Sequence, residues 1–255
     1  MATHPGHLEV AVGTFLFQFT LYVILAGSAF WLVHASPFEV FRRRRIATEP
    51  VSRAQLNREL RLSVVTMIIF GAVGGLMNVL NERGIVHVCI DGDCGGPAYT
   101  GLMTLVLVLA HDTYFYWTHR WLHTPWLFRH FHIDHHRSKD PTPLSVLAHH
   151  PVDAFLSVGF LYAVIVVVPV PVASILMFQV VLFVFNVLGH LGLEYMPAGY
   201  VRTPLFAWLN SPTHHHLHHR ATHYNHGLYF NFWDRLCGTE HPEYAGQFEA
   251  NAARR

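Results

Sequence analysis

The chain has 255 residues, of which 52% are hydrophobic and only 13% are charged, and its formal net charge is +1. Soluble proteins carry about 25% charged residues, so this composition argues against an ordinary soluble domain. The small net charge gives no reason to expect a nucleic-acid partner. Histidine is the unusual residue, with 22 copies against 17 lysines and arginines, and it is the commonest metal ligand in proteins.

The first apolar run covers residues 11–33 and contains no charged side chain. As a helix it would be about 34 Å long, which is enough to cross a bilayer. Four consecutive arginines, 42–45, follow it. By the positive-inside rule, these arginines predict that this end of the helix faces the cytoplasm.

A second run of membrane length, 62–80, lies between two polar segments. The segment before it, 50–61, is predicted to run along the cytoplasmic surface, and the loop after it, 81–97, to lie on the far side. That loop contains Cys89 and Cys94. Two readings stay open for them: unpaired thiols, or a disulfide in an oxidising compartment.

A third run begins at residues 99–110 and continues to His123, which returns the chain to the cytoplasmic side. The runs 152–168 and 172–189 flank a Pro-Val-Pro turn. Because proline interrupts helices, this pattern predicts a helical hairpin that enters and leaves the membrane on one side.

These elements predict an all-α fold, a multi-pass membrane helix bundle with three crossings and one hairpin, capped by a cytosolic histidine-rich helical domain. We expect one domain over residues 1–255: membrane helices and a loop in 1–98, a catalytic region in 99–240 and a tail in 241–255. The expected location is a bacterial inner membrane, or the endoplasmic reticulum if the source is eukaryotic, with the histidines facing the cytoplasm.

Three clusters contain histidines three or four residues apart, a spacing that places them on one helical face. One such pair is weak evidence for a metal site, but three clusters of the same design at one membrane face strongly favour metal binding. A closed zinc site needs about four ligands, so the eight histidines predict two ions. They are His119 and His123, then His132, His135 and His136, then His215, His218 and His219.

Asp112 lies inside an otherwise apolar helix, where an ionisable group is costly and has a partner. We predict a hydrogen bond to a ligand imidazole, with an ion pair to Arg120 as the alternative.

The motifs occur in order between about residues 105 and 240, and they include positions other than histidine. They are D-x-x-F-Y-W-x-H-R-x-x-H at 112–123, H-x-x-H-H at 132–136, H-H-x-x-H-H at 214–219, Y-N-x-G at 224–227, F-W-D-R at 232–235 and G-T at 238–239. This pattern resembles the fatty acid hydroxylase/sterol desaturase superfamily, the membrane-bound histidine-box di-iron oxygenases. The N-terminal third carries no motif of that superfamily.

The resemblance implies two irons, for which zinc can substitute in a purified sample, together with dioxygen. It also implies a membrane lipid substrate whose C–H bond is hydroxylated or desaturated. Electrons would come from a separate cytochrome or ferredoxin type of protein. The substrate stays open among sterols, fatty acyl chains, sphingolipids and carotenoids.

The resemblance also implies that the eight clustered histidines bind iron, together with the isolated His190 and with His214. Some members of the superfamily have a histidine four residues after the isolated one, and Glu194 occupies that position here. Glu194 is therefore expected to bind iron or to support a ligand, and it joins Asp112 as a predicted catalytic carboxylate. The segment 149–153, His-His-Pro-Val-Asp, resembles a superfamily segment to which we assign a structural or supporting role.

Two other functions would also use buried histidines in a membrane protein. A membrane metal transporter needs polar residues along its spans, and the spans are expected to lack them apart from His111 and Asp112. A zinc-dependent membrane hydrolase needs a general base near the metal, for which Glu194 and Asp134 are the candidates.

Overall fold

The structure is a computed structural model that describes residues 6–47, 50–90, 94–204 and 206–254. It is mostly helical, which confirms the predicted fold class. The helices of the described residues are α1 (His7–Ala35), α2 (Glu39–Arg43), α3 (Arg53–Glu82), α4 (Gly96–Leu122), α5 (125–136), α6 (Pro151–Val167), α7 (Val172–Gly189), α8 (Pro212–Arg220), α9 (Phe232–Leu236) and α10 (Tyr244–Ala252). The strands are β1 (Val88–Cys89) and β2 (Val170–Pro171).

Three of the described helices, α1, α3 and α7, are long and apolar enough to cross a membrane, whereas α6 is apolar but shorter. Their outer surfaces carry exposed large apolar side chains such as Leu16, Phe19 and Ile68. A water-soluble protein rarely leaves so much apolar surface uncovered, so these faces fit the lipid of a bilayer. The third predicted crossing, α4, is not among these three helices, and it stays a prediction.

Helix α3 begins at Arg53, so most of the segment 50–61, which is predicted to run along the cytoplasmic surface, forms the first turns of α3. The Ser52 hydroxyl caps the helix by accepting a hydrogen bond from the Gln55 backbone N–H. One turn later, the buried Glu59 carboxylate accepts hydrogen bonds from the hydroxyls of Ser138 and Thr142, both at 2.7 Å. These bonds tie the polar start of α3 to the loop after α5, which lets the helix continue beyond the membrane.

Helices α1 and α3 pack backbone against backbone. A Cβ atom at Gly71 would lie 2.9 Å from the carbonyl oxygen of Ala11, and one at Gly75 would lie 2.9 Å from that of His7. Such separations leave no room for a side chain. Small residues at this interface are what allow the two helices to approach each other, as is common between membrane helices.

The hairpin of α6 and α7 confirms the pattern around the two prolines, and Pro151 occupies the first turn of α6. The hairpin turn pairs with the loop after α3, because Val88 and Val170 face each other in the parallel β1–β2 pair. The all-α prediction did not include this contact. In the same loop Cys89 and Cys94 form a disulfide, which was one of the two readings left open.

The other end of the bundle carries the histidine-rich cap built from α5, α8 and α10. The segment with the four arginines contacts this end, since Arg45 pairs with Leu193 in an isolated bridge just after α7. In addition, the backbone N–H of Glu194 donates to the carbonyl of Arg44 at 3.3 Å. The arginines and the histidines therefore lie at the same end of the bundle.

Replacing Gly71 or Gly75 by alanine should destabilise the protein by about 1–3 kcal/mol, because the new methyl group forces α1 and α3 apart. Gly101→Ala is the matched control, since a Cβ there meets nothing within 4 Å and alanine favours a helix. Thermal unfolding of the purified variants in detergent measures the effect. Equal melting temperatures for all three variants would contradict the close packing.

Candidate metal centre

Nine imidazoles gather into two buried groups where the cap meets the membrane helices. Within each group the candidate ligand atoms all lie within 4.8 Å of one another. The first group, called here site A, contains His119, His123, His132, His136 and His218. The second group, called site B, contains His135, His190, His215 and His219.

Site A contains histidines from three helices and from all three sequence clusters. His119 and His123 come from the end of α4, with their Nε2 atoms 3.3 Å apart. His132 comes from α5, and its Nε2 lies 3.2 Å from the Nε2 of His119. A π-helical turn, Phe128–His132, precedes the last turn of α5. His132 and His136, four residues apart, join site A as their spacing predicts, whereas the adjacent His135 joins site B.

Site B is arranged around His215, which lies on α8. Its Nε2 is 3.1 Å from the Nε2 of His190 and 3.1 Å from that of His219. Helix α8 begins here because Ser211 caps it and Pro212 occupies its first turn. The isolated histidine, His190, sits at the C-terminal end of α7, so one membrane helix reaches directly into the site.

Four imidazoles are oriented through their Nδ1 atoms. His119 Nδ1–H donates to the carbonyl of His226 at 2.8 Å, and His190 Nδ1–H donates to that of Asn186 at 2.8 Å. His218 Nδ1–H donates to the carbonyl of Tyr224 at 2.6 Å. The fourth, His132, has its Nδ1 2.9 Å from a carboxylate oxygen of Asp153. Such outer bonds fix the tautomer and aim the other nitrogen, Nε2, at the metal.

This orientation fits a cation. A neutral imidazole carries its proton on one nitrogen, so a ring that donates through Nδ1 presents a lone pair at Nε2. The close Nε2 pairs, such as His119 with His132 at 3.2 Å, therefore have no proton between them. His218 Nε2 and both ring nitrogens of His136 are buried without a hydrogen-bond partner. Neighbouring nitrogen ligands of one ion lie about 3 Å apart, because metal–nitrogen distances are about 2.1 Å.

Burial favours the neutral form of several of the clustered imidazoles. It lowers the pKa of His135, His136, His215 and His219 well below the usual range, and the neighbouring histidines lower it further. Burial also lowers the pKa of His190 to about 4. A neutral imidazole is the form that binds a metal, so the cap holds its histidines ready to act as ligands at neutral pH.

One predicted ligand, His214, lies outside both sites. Its Nε2 is 3.6 Å from a carboxylate oxygen of Asp234, and its ring packs against that of Tyr244. His214 shares one helix with His215, His218 and His219, but its ring contacts Asp234 and Tyr244 and belongs to neither group. The structure does not bring His214 together with the other predicted ligands.

The two carboxylates that were predicted to be catalytic hold backbone instead. Glu194 accepts hydrogen bonds from the backbone N–H and the hydroxyl of Thr213, at 3.1 and 2.7 Å, in the first turn of α8. Asp112 accepts from the backbone N–H groups of Tyr229 and Phe230, at 3.1 and 3.2 Å. Neither carboxylate belongs to site A or site B, and Asp112 makes neither the imidazole bond nor the ion pair that the sequence suggested.

Asp153 performs the role that the sequence had assigned to Asp112. The same oxygen that contacts His132 also lies 3.1 Å from Nδ1 of His149. The resemblance assigns the segment 149–153 a structural or supporting role, but it does not identify the residue that the segment contacts. That partner depends on how α6 packs against α5, a tertiary contact that no spacing encodes.

The loop 224–227 contains the Y-N-x-G motif, to which the sequence assigns no role. It supplies two of the orienting carbonyls, those of Tyr224 and His226. Asp234 holds the loop by accepting hydrogen bonds from the backbone N–H groups of His226 and Gly227, at 2.9 and 2.8 Å. Gly227 is required there, because a Cβ atom would lie 2.3 Å from the carbonyl of Phe230. The Y-N-x-G and F-W-D-R motifs therefore form one support for site A.

A cavity of about 90 Å³ extends from both sites into the bundle. Histidines of the two sites line one end, including His119 and His215. Apolar side chains such as Phe115, Leu147 and Phe183 line much of the rest, and Gln18 and Gln179 are among the polar residues there. His111 also lines this cavity, and its Nδ1 lies 3.1 Å from the hydroxyl of Tyr229. The space suits an apolar ligand that ends at the histidines.

The sequence is similar to proteins of known function. The family model described as fatty acid hydroxylase matches residues 104–239, which contain all the quoted motifs. Lathosterol oxidase of Rattus norvegicus is 36% identical over 191 residues, covering 74% of this chain and 62% of that protein. Delta(7)-sterol 5(6)-desaturase erg3B of Aspergillus fumigatus is 27% identical over 234 residues, covering 91% of this chain and 65% of that protein.

A third relative has a different printed activity. The very-long-chain aldehyde decarbonylase GL1-9 of Oryza sativa subsp. indica is 28% identical over 270 residues, with 96% of both chains covered. The two sterol enzymes are longer than this chain, which spans less than two thirds of either. No solved structure is significantly similar to it.

Asp153→Asn should weaken metal binding by about 10–100-fold. The neutral amide accepts a weaker hydrogen bond from the Nδ1–H of His132 than the carboxylate does, so it orients the ring less firmly. Asp134→Asn is the matched control, since the Asp134 carboxylate pairs with Arg137 at 2.8 Å on the surface. Metal content after loading with Fe(II) and titration with a chelator measures the loss. Equal retention in both variants would contradict the orienting role of Asp153.

The metal-free protein should lose stability as the pH falls from about 6.5 to about 4. Burial lowers the pKa of His190 and His226 to about 4 and that of His214 to about 3, whereas the unfolded chain keeps about 6.5. In this window the unfolded chain binds protons that the folded chain does not, at a cost of up to about 1.4 kcal/mol per pH unit for each histidine.

Thermal unfolding of metal-depleted protein in detergent across this pH range measures that loss. His130→Ala, which changes an exposed imidazole, should leave the slope unaltered. A melting temperature that does not change between pH 6.5 and 4.5 would contradict the neutral, buried state of the cap histidines.

Proposed function

Because this chain belongs to the fatty acid hydroxylase family, we propose that it hydroxylates or desaturates a C–H bond of a membrane lipid. The reaction would use dioxygen, two irons and electrons from a separate protein. The observation that carries the proposal is the pairing of two all-histidine sites with an apolar cavity that opens directly onto both of them.

Sites A and B would each hold one iron. Imidazole is a good ligand for iron, and neutral ligands leave the full positive charge on the ion. Bound iron supplies the chemistry that protein side chains lack, the activation of dioxygen for attack on an unactivated C–H bond. Nine of the ten predicted ligands belong to this proposal, and His214 is assigned to supporting α8 through Asp234.

The protein's own contribution is to bind and orient the lipid and to keep water out. The apolar walls of the cavity would hold the lipid chain with its reacting carbon beside the histidines. Phe115 and Leu122 of α4 line the wall close to site A. Asp153 and the carbonyls of Tyr224, His226 and Asn186 keep the imidazoles in position through the reaction.

Orientation in the membrane is proposed from two features at opposite ends. The four arginines adjoin the histidine cap, which favours the cytoplasmic side for the cap by the positive-inside rule. The disulfide of Cys89 and Cys94 lies in the loop at the other end, which fits an oxidising compartment. The electron donor would then dock on the cytoplasmic face, where Arg129, Arg137 and Lys139 could attract an acidic carrier.

The alternatives are less well supported. In a transporter the ligands would lie near the middle of the membrane, whereas here they sit where the helices meet the cap. A zinc hydrolase needs a general base beside the metal. Here the Glu194 carboxylate accepts a hydrogen bond from the Thr213 hydroxyl, and the Asp134 carboxylate pairs with Arg137 at the surface. Neither carboxylate is therefore placed to act as that base.

His135→Ala and His218→Ala should each abolish lipid oxidation while the protein still inserts into the membrane, because each removes a ligand of one site. His130→Ala is the control on the same helix as His135; its exposed ring contacts the carbonyl of Trp126. Lipid extracts of cells that express each variant, compared by mass spectrometry, would show which oxidised lipid disappears.

Metal analysis of the active wild-type protein should find two irons per chain. Full activity with zinc alone, or oxidation that persists without dioxygen, would overturn the proposed function. If His135→Ala still oxidised the lipid, site B would not be required for the proposed reaction.

A further inference from the structure

Two glutamines form a polar contact deep in the membrane part of the bundle. Gln18 lies on α1 and Gln179 on α7, and the Nε2 amide of Gln18 donates to Oε1 of Gln179 at 2.5 Å. The sequence had been read as leaving the spans apolar apart from His111 and Asp112, and this pair corrects that reading. Amide groups are costly within a bilayer and face the interior of a bundle or a cavity when they occur there.

The pair stands where two cavities meet. The cavity at sites A and B adjoins a second, larger cavity of about 280 Å³, which extends between α1, α3, α6 and α7 toward the loop that contains β1. The residues that line both cavities are Gln18, Phe70, Ser157, Gln179 and Leu182. A ligand that reaches from the histidines into the larger cavity must therefore pass the two amides.

The amides can still bind a partner. One hydrogen bond between two glutamines uses one carbonyl and one amide hydrogen, whichever way the groups are turned. It leaves one carbonyl free to accept and the amino group of the other residue free to donate. An alcohol matches both groups, because its hydroxyl donates and accepts, whereas an ether or a ketone can only accept.

We infer that Gln18 and Gln179 bind the hydroxyl group of the lipid substrate, and this rests on the proposed function. The substrate class is then a lipid alcohol, either a sterol or a long-chain alcohol. The two glutamines are positioning residues, and they contact a part of the lipid that does not react.

The position of the pair also predicts where the lipid is oxidised. Gln179 and His190 are eleven residues apart along α7, which corresponds to about 16 Å along the helix axis. Side chains on one helix lean in the same direction, so the amides and the imidazoles are separated by a similar distance. The oxidised carbon is therefore remote from the hydroxyl, and a carbon one or two bonds from it is excluded.

The competing explanation is that the pair only joins two helices. Ser174 offers the comparison, because its hydroxyl joins α7 to α4 by donating to the carbonyl of Thr100 at 2.9 Å. Ser174 is fully buried and lines neither cavity. Ser174→Ala therefore removes a contact between helices without touching the path of the ligand.

Binding of defined lipids tests the inference without any turnover. Native mass spectrometry of the purified, metal-depleted protein in detergent would compare 5α-cholestan-3β-ol and hexadecan-1-ol with their methyl ethers. The wild type should prefer one alcohol over its ether by roughly tenfold, and the preferred scaffold identifies the source of the hydroxyl. Equal binding of alcohol and ether on both scaffolds overturns the inference, and this arm needs no variant.

Gln18→Leu combined with Gln179→Leu should abolish the preference while Ser174→Ala keeps it. In metal-loaded membranes the double variant should also spread oxidation over neighbouring carbons, an effect that a purely structural contact would not produce. If the double variant still prefers the alcohol over the ether, the pair only packs the helices together. The same holds if the double variant oxidises the same carbon as the wild type and is merely less active. His135→Ala should keep the preference and lose turnover, so the inference and the proposed function can fail separately.

Discussion

The arrangement of the whole cap depends on the proton carried by each imidazole Nδ1. Where His119 and His190 donate that proton to a backbone carbonyl, the opposite nitrogen has no proton and faces another nitrogen about 3 Å away. Buried lone pairs at that spacing repel one another unless a cation lies among them. A cation bound among them would relieve that repulsion, and folding and metal binding would then be linked.

Several buried carboxylates around the cap serve that orientation and do not belong to sites A and B themselves. Asp234 holds the loop whose carbonyls orient His119 and His218, Glu194 anchors the first turn of α8, and Asp112 holds the backbone at Tyr229 and Phe230. Each carboxylate satisfies N–H groups that would otherwise be buried without a partner. Acidic residues close to the histidines in sequence are thus parts of a scaffold, and a bare ligand motif does not distinguish the two roles.

The membrane part contributes shape more than chemistry. Close packing of α1 on α3 at Gly71 and Gly75 fixes one wall of the larger cavity, and α6 and α7 form the opposite wall. The hairpin turn pairs with the far loop through β1 and β2 at the end of the bundle opposite sites A and B. A lipid bound there would contact the histidines at one end of the cavity and the glutamine pair partway along it.

The amino-acid sequence by itself determined the helical class, the apolar runs, the three histidine clusters and the hairpin around the prolines. These follow from local periodicity, helical spacing and proline geometry, which involve neighbours within about a turn of helix. It could not divide the histidines between the sites, since the partners of His135 and His136 depend on where α4, α7 and α8 place their own histidines. Nor could it find the partners of Asp112, Glu194 and Asp153 or the meeting of Gln18 with Gln179, 161 residues apart. Those contacts were decided only by the tertiary structure, because a hydrogen bond between distant residues depends on how whole helices pack and leaves no periodic trace along the chain.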